Sequence, residues 1–216
     1  MMTNLFSMFD PTTGTLSLNW LSMTMVFMLP SPFWNLQSKM LMIINMMYTK
    51  LYNEIFMHLK NNKASIIMVS LFMFILINNI MGMLPYVFTA TAHLVFSLAM
   101  ALTLWLAMMI FGWTHKMNHM FCHLVPTGTP TLLMPFMVLI ESISNIIRPG
   151  SLAVRLSANM IAGHLIMSLL GNNLNNNFIM MMMMWLLIGL MIFETAVAFI
   201  QSYVFMTLST LYSSEI

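Results

Sequence analysis

Several long stretches of this chain contain almost no charged residue, and they restrict its fold more than any other feature. The runs 64–84 and 93–113 hold no Asp, Glu, Lys or Arg. A helix of about 20 apolar residues crosses a bilayer, whereas barrel strands alternate over about ten residues. With 60% hydrophobic and 6% charged residues, the chain has too little polar surface for a water-soluble globule. We therefore expect an all-α integral membrane protein.

The apolar runs and the proline and asparagine segments between them predict about five transmembrane helices and one amphipathic surface helix. Two of the spans are unusually long, so we expect them to be tilted or bent. All of them form one membrane domain over 1–216. The predicted elements are a first span at 15–30, a surface helix at 37–63, a hairpin at 64–113 made of 64–84 and 93–113, and a long hairpin at 131–212 made of 131–171 and 178–212 around the polar loop 171–177.

The lysines support this set of spans. If the spans alternate in direction, all five lysines fall on one side of the membrane, here called the basic face. The opposite side receives Asp10 and the asparagine-rich loop 171–177 but no Lys or Arg. Such a bias is the usual signature of the side from which a membrane protein is inserted.

Composition excludes several other classes of function. One cysteine, Cys122, cannot form a disulfide within the chain. A net charge of +2 without a long basic run does not indicate a nucleic-acid partner. His115, His119 and His123 have a spacing that could bind a metal on a helix, but a solvated connector is the simpler interpretation. No glycine loop of the phosphate-binding type is present, and we expect no cofactor and no metal.

Ionisable and amide side chains at membrane depth are the candidate functional residues. Placing an arginine or an aspartate there costs about 2.5 to 3.5 kcal/mol on insertion scales, and such groups usually mark an ion or proton path. All of them lie in the two long helices: Glu141, Arg148, Arg155, Asn159, His164, Glu194 and Gln201.

Arg155 lies on a helix face built from small side chains. Steps of three and four residues along the helix meet Ser151, Ala158, Asn159 and Ala162. Small faces allow another helix to approach closely. No acid in the sequence is an obvious partner for Arg155, so we expect the partner carboxylate to belong to another subunit.

Two sets of titratable groups are candidates for proton paths on either side of Arg155. His164 is half a turn out of phase with Arg155 and could form one aqueous path with Glu194. Glu141 and Glu215 lie toward the basic face and could form the other. A guanidinium cannot lose its proton in a protein, so Arg155 can attract a carboxylate and block a proton but cannot pass one on.

Purely structural interpretations stay open for several of these residues. Arg155 could pair with Glu194 or with backbone carbonyls, and Arg148 could neutralise Glu141 two turns away. His164, Asn159 and Gln201 could serve as hydrogen-bonding contacts between helices.

Three segments resemble subunit a of the F-type ATP synthase in its mitochondrially encoded animal form. The most specific are ESISNIIRPGSLAVRLSANMIAGHL at 141–165 and ETAVAFIQSYVF at 194–205, with weaker support from NNIMGMLPY at 78–86. The resemblance extends over essentially the whole chain. It implies a multi-pass stator subunit of the mitochondrial inner membrane that is not an enzyme on its own. It also implies ATP synthesis driven by proton transport through a rotary motor.

The same resemblance implies partners and roles. The long helices would press against a c-ring, beside the peripheral stalk and other membrane subunits. Arg155 matches the essential arginine of the family, and Glu141 and Glu215 match acids of the matrix-side half-channel. The half-channel from the intermembrane space would contain His164, Glu194, Asn159 and Gln201.

Two other classes of membrane protein predict different features. A secondary transporter is expected to show paired repeats and broken helices around a midplane site, and the sequence contains neither. A structural scaffold would tolerate loss of Arg155.

One geometric expectation conflicts with the resemblance. Counting outward from the middle of the 171–177 loop places Glu194 level with Arg155, whereas the family places Gln201 closer to Arg155.

Overall fold

The computed structural model describes residues 5–12, 14–28, 38–84, 86–125, 128–172 and 177–215, and helices are the only regular secondary structure over these ranges. This confirms the predicted all-α class. Short 3₁₀ helices lie at Leu5–Phe9, Leu18–Met28 and Ala90–Ala92. The α-helices are α1 (Lys39–Leu59), α2 (Asn62–Gly82), α3 (Leu94–His115), α4 (Met117–His123), α5 (Met134–Asn172) and α6 (Asn177–Glu215).

Within the described ranges, four helices are long and apolar enough to cross a membrane: α2, α3, α5 and α6. The segment predicted as a first span at 15–30 contains a shorter apolar helix, Leu18–Met28, and residues 29 and 30 lie outside the described ranges. The 11 residues of this helix extend about 22 Å at the 3₁₀ rise. The chain is thus a multi-pass membrane protein, and its described part holds four helices long enough to span a bilayer and a shorter apolar one.

A turn at Lys60 and Asn61 divides the segment that was predicted as one surface helix. Lys60 ends α1 in the left-handed conformation, with φ of 52°, and its N–H donates to the carbonyl of Phe56. Asn61 then caps α2, because its side chain accepts a hydrogen bond from the N–H of Lys63 at 3.2 Å. The chain therefore turns back on itself here, and α1 packs against α2.

Helix α2 occupies the centre of the molecule and is buried on two sides. Toward α1 and α6 it contributes to an apolar cluster of Ile55, Met68, Val69, Phe72, Met73, Leu76, Ile77 and Met206. Toward α3, α5 and α6 it contributes to a second cluster of Leu71, Ile75, Ala101, Leu152, Ala153, Leu156 and Phe205. This packing fixes α5 and α6 relative to each other and to α2.

The two longest helices, α5 and α6, have 39 residues each. At 1.5 Å per residue each is about 58 Å long, roughly twice the hydrocarbon thickness of a bilayer. Pro149 lies within α5, which continues through it. Both helices must therefore be inclined to the membrane or extend beyond it, and they carry all the candidate functional residues.

Candidate functional site in the long helix pair

Arg155 lies on the side of α5 that faces away from the rest of the chain. Arg155, Ser151, Ala158 and Ala162 are exposed, and Asn159 is half-buried. On the opposite side of the helix, Leu152, Ala153 and Leu156 are 7%, 0% and 3% exposed and belong to the core. The small-residue face predicted from the sequence is thus open, with the arginine at its centre.

The guanidinium of Arg155 takes part in no ion pair with the described residues. The ion pairs there join Arg148 to Glu141 and to Glu215, and His164 is the residue that faces Glu194. The alternative in which Arg155 pairs with Glu194 does not occur. Over the described ranges, no acid of this chain therefore neutralises the charge of Arg155.

His164 and Glu194 form a buried pair between α5 and α6. Each residue is 5% exposed, and His164 Nε2 lies 3.9 Å from Glu194 Oε1. This distance is too long for a direct hydrogen bond, and neither atom has a hydrogen-bond partner among the described residues. The ring of Phe9 lies edge-on to the His164 ring, with their centroids 6.3 Å apart. Two buried polar atoms at this separation suit a bridging water.

A glycine in α5 leaves room for the Glu194 carboxyl group. Gly163 lies next to His164 in α5, and a Cβ atom at position 163 would overlap the carboxyl group of Glu194. The Glu194 carboxyl group therefore occupies the space that a side chain at position 163 would need. Gly150, in the same helix, has open space around it.

Counting residues outward from the middle of the 171–177 loop placed Glu194 level with Arg155, and this expectation is wrong. Glu194 faces His164, which lies nine residues, or about 13.5 Å of helix, beyond Arg155. The observed register therefore differs from that of an ideal hairpin centred on the loop. Gly163 accommodates the Glu194 carboxyl group.

Farther along the helix pair, Phe205 of α6 packs in one cluster with Ala153 and Leu156 of α5. This contact and the Glu194 contact together place the region around residue 203 level with Arg155. Gln201 is therefore much closer to that level than Glu194 is.

A cavity of about 330 Å³ connects the level of Glu194 with that of Gln201. Asn159, Gly163, Glu194 and Gln201 are among the residues that line it. It brings three of the four side chains predicted for one path, Asn159, Glu194 and Gln201, to one space beside the Arg155 face.

The fourth, His164, lines a neighbouring cavity of about 420 Å³. Ser168, Gly171 and Asn172 extend this second cavity toward the asparagine-rich loop. Met167 lines both cavities. The His164–Glu194 pair thus stands between a cavity near the loop and a cavity near the arginine.

A separate polar cluster lies near the other end of the helix pair. Arg148 Nη2 is 3.6 Å from Glu141 Oε1, and its Nη1 donates to a carboxylate oxygen of Glu215. The Arg148 guanidinium carbon also lies 4.9 Å from the centre of the Tyr212 ring. The pairing of Arg148 with Glu141, left open by the sequence, is present.

This cluster lines a cavity of about 260 Å³. Other residues that the sequence did not indicate as candidates also line it. Asn145, Tyr212 and His123 line it together with the two acids. Asn145 is four residues from Glu141 and Tyr212 is three from Glu215, so helical spacing could have indicated both. His123 comes from α4, and only the tertiary fold brings it here.

The predicted connector between the third span and the long hairpin contains α4. The rings of His119 and His123 are 4.6 Å apart. Over the described ranges, no group of three or more His, Cys, Asp or Glu side chains could hold a metal ion.

The fold and these clusters define a multi-pass helical membrane protein whose two longest helices carry titratable groups at membrane depth. Residues 12–214 match the family model described as ATP synthase A chain. Three similar proteins are the ATP synthase subunit a of Locusta migratoria (52% identical over 225 residues), Drosophila simulans (53% over 223) and Anopheles gambiae (51% over 225), with 100% of both chains covered in each case. The chain therefore belongs to the ATP synthase subunit a family, and it is a membrane subunit that works with the other subunits of that complex.

Proposed function

We propose that this chain conducts protons through two half-channels to and from the carboxylates of a rotating c-ring. It acts as a stator subunit of the mitochondrial inner membrane, and the rotation that it drives supports ATP synthesis elsewhere in the complex. Its further partners are the peripheral stalk and other membrane subunits. The observation that carries this proposal is Arg155, a cation that forms no ion pair with a described residue and lies on an exposed small-residue face between two polar clusters.

Arg155 separates the two half-channels. Because a guanidinium keeps its proton, Arg155 holds a fixed positive charge that attracts a deprotonated ring carboxylate and gives no route for a proton between the channels. The flanking Ser151, Ala158 and Ala162 allow a ring helix to approach closely. A proton must then travel with the ring to pass from one channel to the other.

The first half-channel leads from the loop side to the Arg155 face. Protons enter the cavity beside Ser168 and Asn172, pass the His164–Glu194 pair and reach the cavity with Asn159 and Gln201. The 3.9 Å gap and the unpartnered buried atoms of the pair support a proton relay through water. Asn159 and Gln201 would hold water at the exit toward the ring.

The second half-channel leads from the Arg155 level to the basic face. Glu141 and Glu215 accept protons that leave the ring, and Arg148 holds both acids at one cavity wall. Offset channels make each proton cross the full potential by way of the ring. Each elementary charge that crosses provides about 2.3 kcal/mol per 100 mV, which is the drive for rotation.

Cysteine accessibility tests the two channels in the assembled complex. In a Cys122→Ser background, a membrane-impermeant thiol reagent is expected to modify Ser168→Cys from the loop side and Ser142→Cys from the basic face, because each residue lines one of the cavities. Ser202→Cys is the matched control, since Ser202 is 0% exposed. Equal reactivity of all three, or reactivity from the opposite sides, would contradict the proposed channels.

Gly163→Ala tests the His164–Glu194 relay. The added Cβ displaces the Glu194 carboxyl group, so we expect the complex to assemble but to pump protons severalfold more slowly when it hydrolyses ATP. Proton uptake into sealed inner-membrane vesicles measures this. Gly150→Ala, in open space on the same helix, should leave pumping unchanged. If the two variants pump alike, the position of the Glu194 carboxyl group does not matter to conduction.

A further inference from the structure

The short helix α4 brings a further titratable side chain to the cavity that Glu141, Arg148 and Glu215 share. His123, the last residue of α4, lines this cavity of about 260 Å³. The residue is also exposed at the surface of the chain. His123 therefore borders both the cavity and the surroundings of the chain.

An aromatic contact holds α4 beside the cavity. The rings of Trp113 in α3 and Phe121 in α4 meet edge-on, with their centroids 5.1 Å apart. Trp113 lines the cavity as well. Lys116, one of the lysines of the predicted basic face, lies between the two helices. The contact thus keeps His123 at the end of the cavity that is nearest to that face.

A second imidazole lies next to His123. His119 is one turn earlier in α4, and the centres of the two rings are 4.6 Å apart. His119 is exposed, and no residue of α4 is buried. The two rings together extend from the cavity to the surface of the chain.

The side chains that line the cavity differ in their ability to carry a proton. The guanidinium of Arg148 keeps its proton. A carboxyl group that gains a proton loses its attraction to Arg148, and a base that removes this proton restores the ion pair. Histidine is the residue type that gains and loses a proton near neutral pH, and its two ring nitrogens let it accept a proton on one side and release one on the other. An imidazole at this cavity can therefore act as that base.

We propose that His123 relays protons between the acids of the second half-channel and the medium at the basic face. This inference rests on the proposed function. A proton leaves the carboxyl group of Glu141 or Glu215 and binds the unprotonated ring nitrogen of His123. The carboxylate then pairs with Arg148, and the imidazolium releases a proton to His119 or to water. One proton enters and one leaves in each cycle, and the steps run in reverse during ATP hydrolysis.

Loss of the imidazole and its chemical rescue test this relay in the assembled complex. With a protonophore present, so that no gradient builds up, coupled ATP hydrolysis requires proton entry through the second half-channel. We expect His123→Ala to hydrolyse ATP severalfold more slowly than the wild type at low buffer concentration. Imidazole in the medium should restore most of the lost rate and should not affect the wild type.

The matched control is His115→Ala. His115 is exposed at the end of α3 and does not line the cavity. This variant removes the same group from the same face, so it should hydrolyse ATP at the wild-type rate with or without imidazole.

Two results would overturn the relay. One is a wild-type rate in His123→Ala. The other is a slow rate that imidazole does not restore, because the side chain would then act through its shape. His123→Gln retains a polar side chain that cannot titrate, and it should be as slow as His123→Ala. A wild-type rate in His123→Gln would also contradict the relay.

The reactivity of Ser142→Cys separates this inference from the proposed function. If Ser142→Cys reacts from the basic face while both His123 variants keep the wild-type rate, the second half-channel stands and the relay alone is wrong. If Ser142→Cys does not react from that face, the second half-channel itself is wrong, and the relay with it.

Discussion

A complex that carries Arg155→Ala will assemble but will neither make ATP from a proton gradient nor pump protons when it hydrolyses ATP. Arg155 is exposed and outside the apolar clusters, so its loss removes little of the packing that holds α5 in place. In the proposed mechanism, nothing would then hold a ring carboxylate in its charged form between the half-channels. Coupled synthesis and ATP-driven pumping should both fall to background.

Three measurements make this prediction decisive. Native gels show whether the complex assembles, and proton uptake and ATP synthesis in sealed vesicles show whether it is coupled. Ser151→Ala, on the same exposed face one turn earlier, is the control and should behave like the wild type. Normal pumping in Arg155→Ala would show that this arginine is a structural residue and would remove the basis of the proposed function.

Replacement of both His164 and Glu194 by leucine is expected to have the second largest effect. The pair lies between the loop-side cavity and the cavity beside Arg155, so the double variant should interrupt the proposed first half-channel. We expect proton flux to fall by at least roughly tenfold, which corresponds to about 1.4 kcal/mol in the barrier. Each single replacement should cause most of this loss, because residues that act as a unit are not additive.

The control for the leucine variants is Met167→Leu. Met167 lines the same two cavities but carries no titratable group, so a change of shape alone should leave flux near normal. Proton flux through the membrane sector can be measured in vesicles stripped of the catalytic head. Normal flux in the double variant would mean that protons reach the ring by another route.

The sequence was sufficient to predict what depends on composition and helical spacing. Long uncharged runs predicted the spanning helices. The three- and four-residue steps around Arg155 predicted a small-residue face, and that face is exposed. The half-turn offset of His164 predicted that it points away from the Arg155 face, and its burial agrees with this.

The contacts between helices could not be predicted in the same way. The register of α5 against α6 is seen only in the fold, where the Glu194 carboxyl group lies beside Gly163 and Phe205 shares an apolar cluster with Ala153. Counting residues from the loop takes no account of these contacts, and it misplaced Glu194 along α5 by about nine residues. The turn at Lys60 could not be predicted either. A left-handed residue at the end of a helix is usually a glycine, and here it is a lysine.

The most direct measurement is a structure of the assembled complex that shows which group faces the Arg155 guanidinium. We expect a carboxylate of a ring subunit within about 4 Å, the distance of an ion pair. The pocket around it would include Ala158 and Ala162. A guanidinium that faces lipid, or one that is paired with a carboxylate of its own chain, would contradict the proposed role of Arg155.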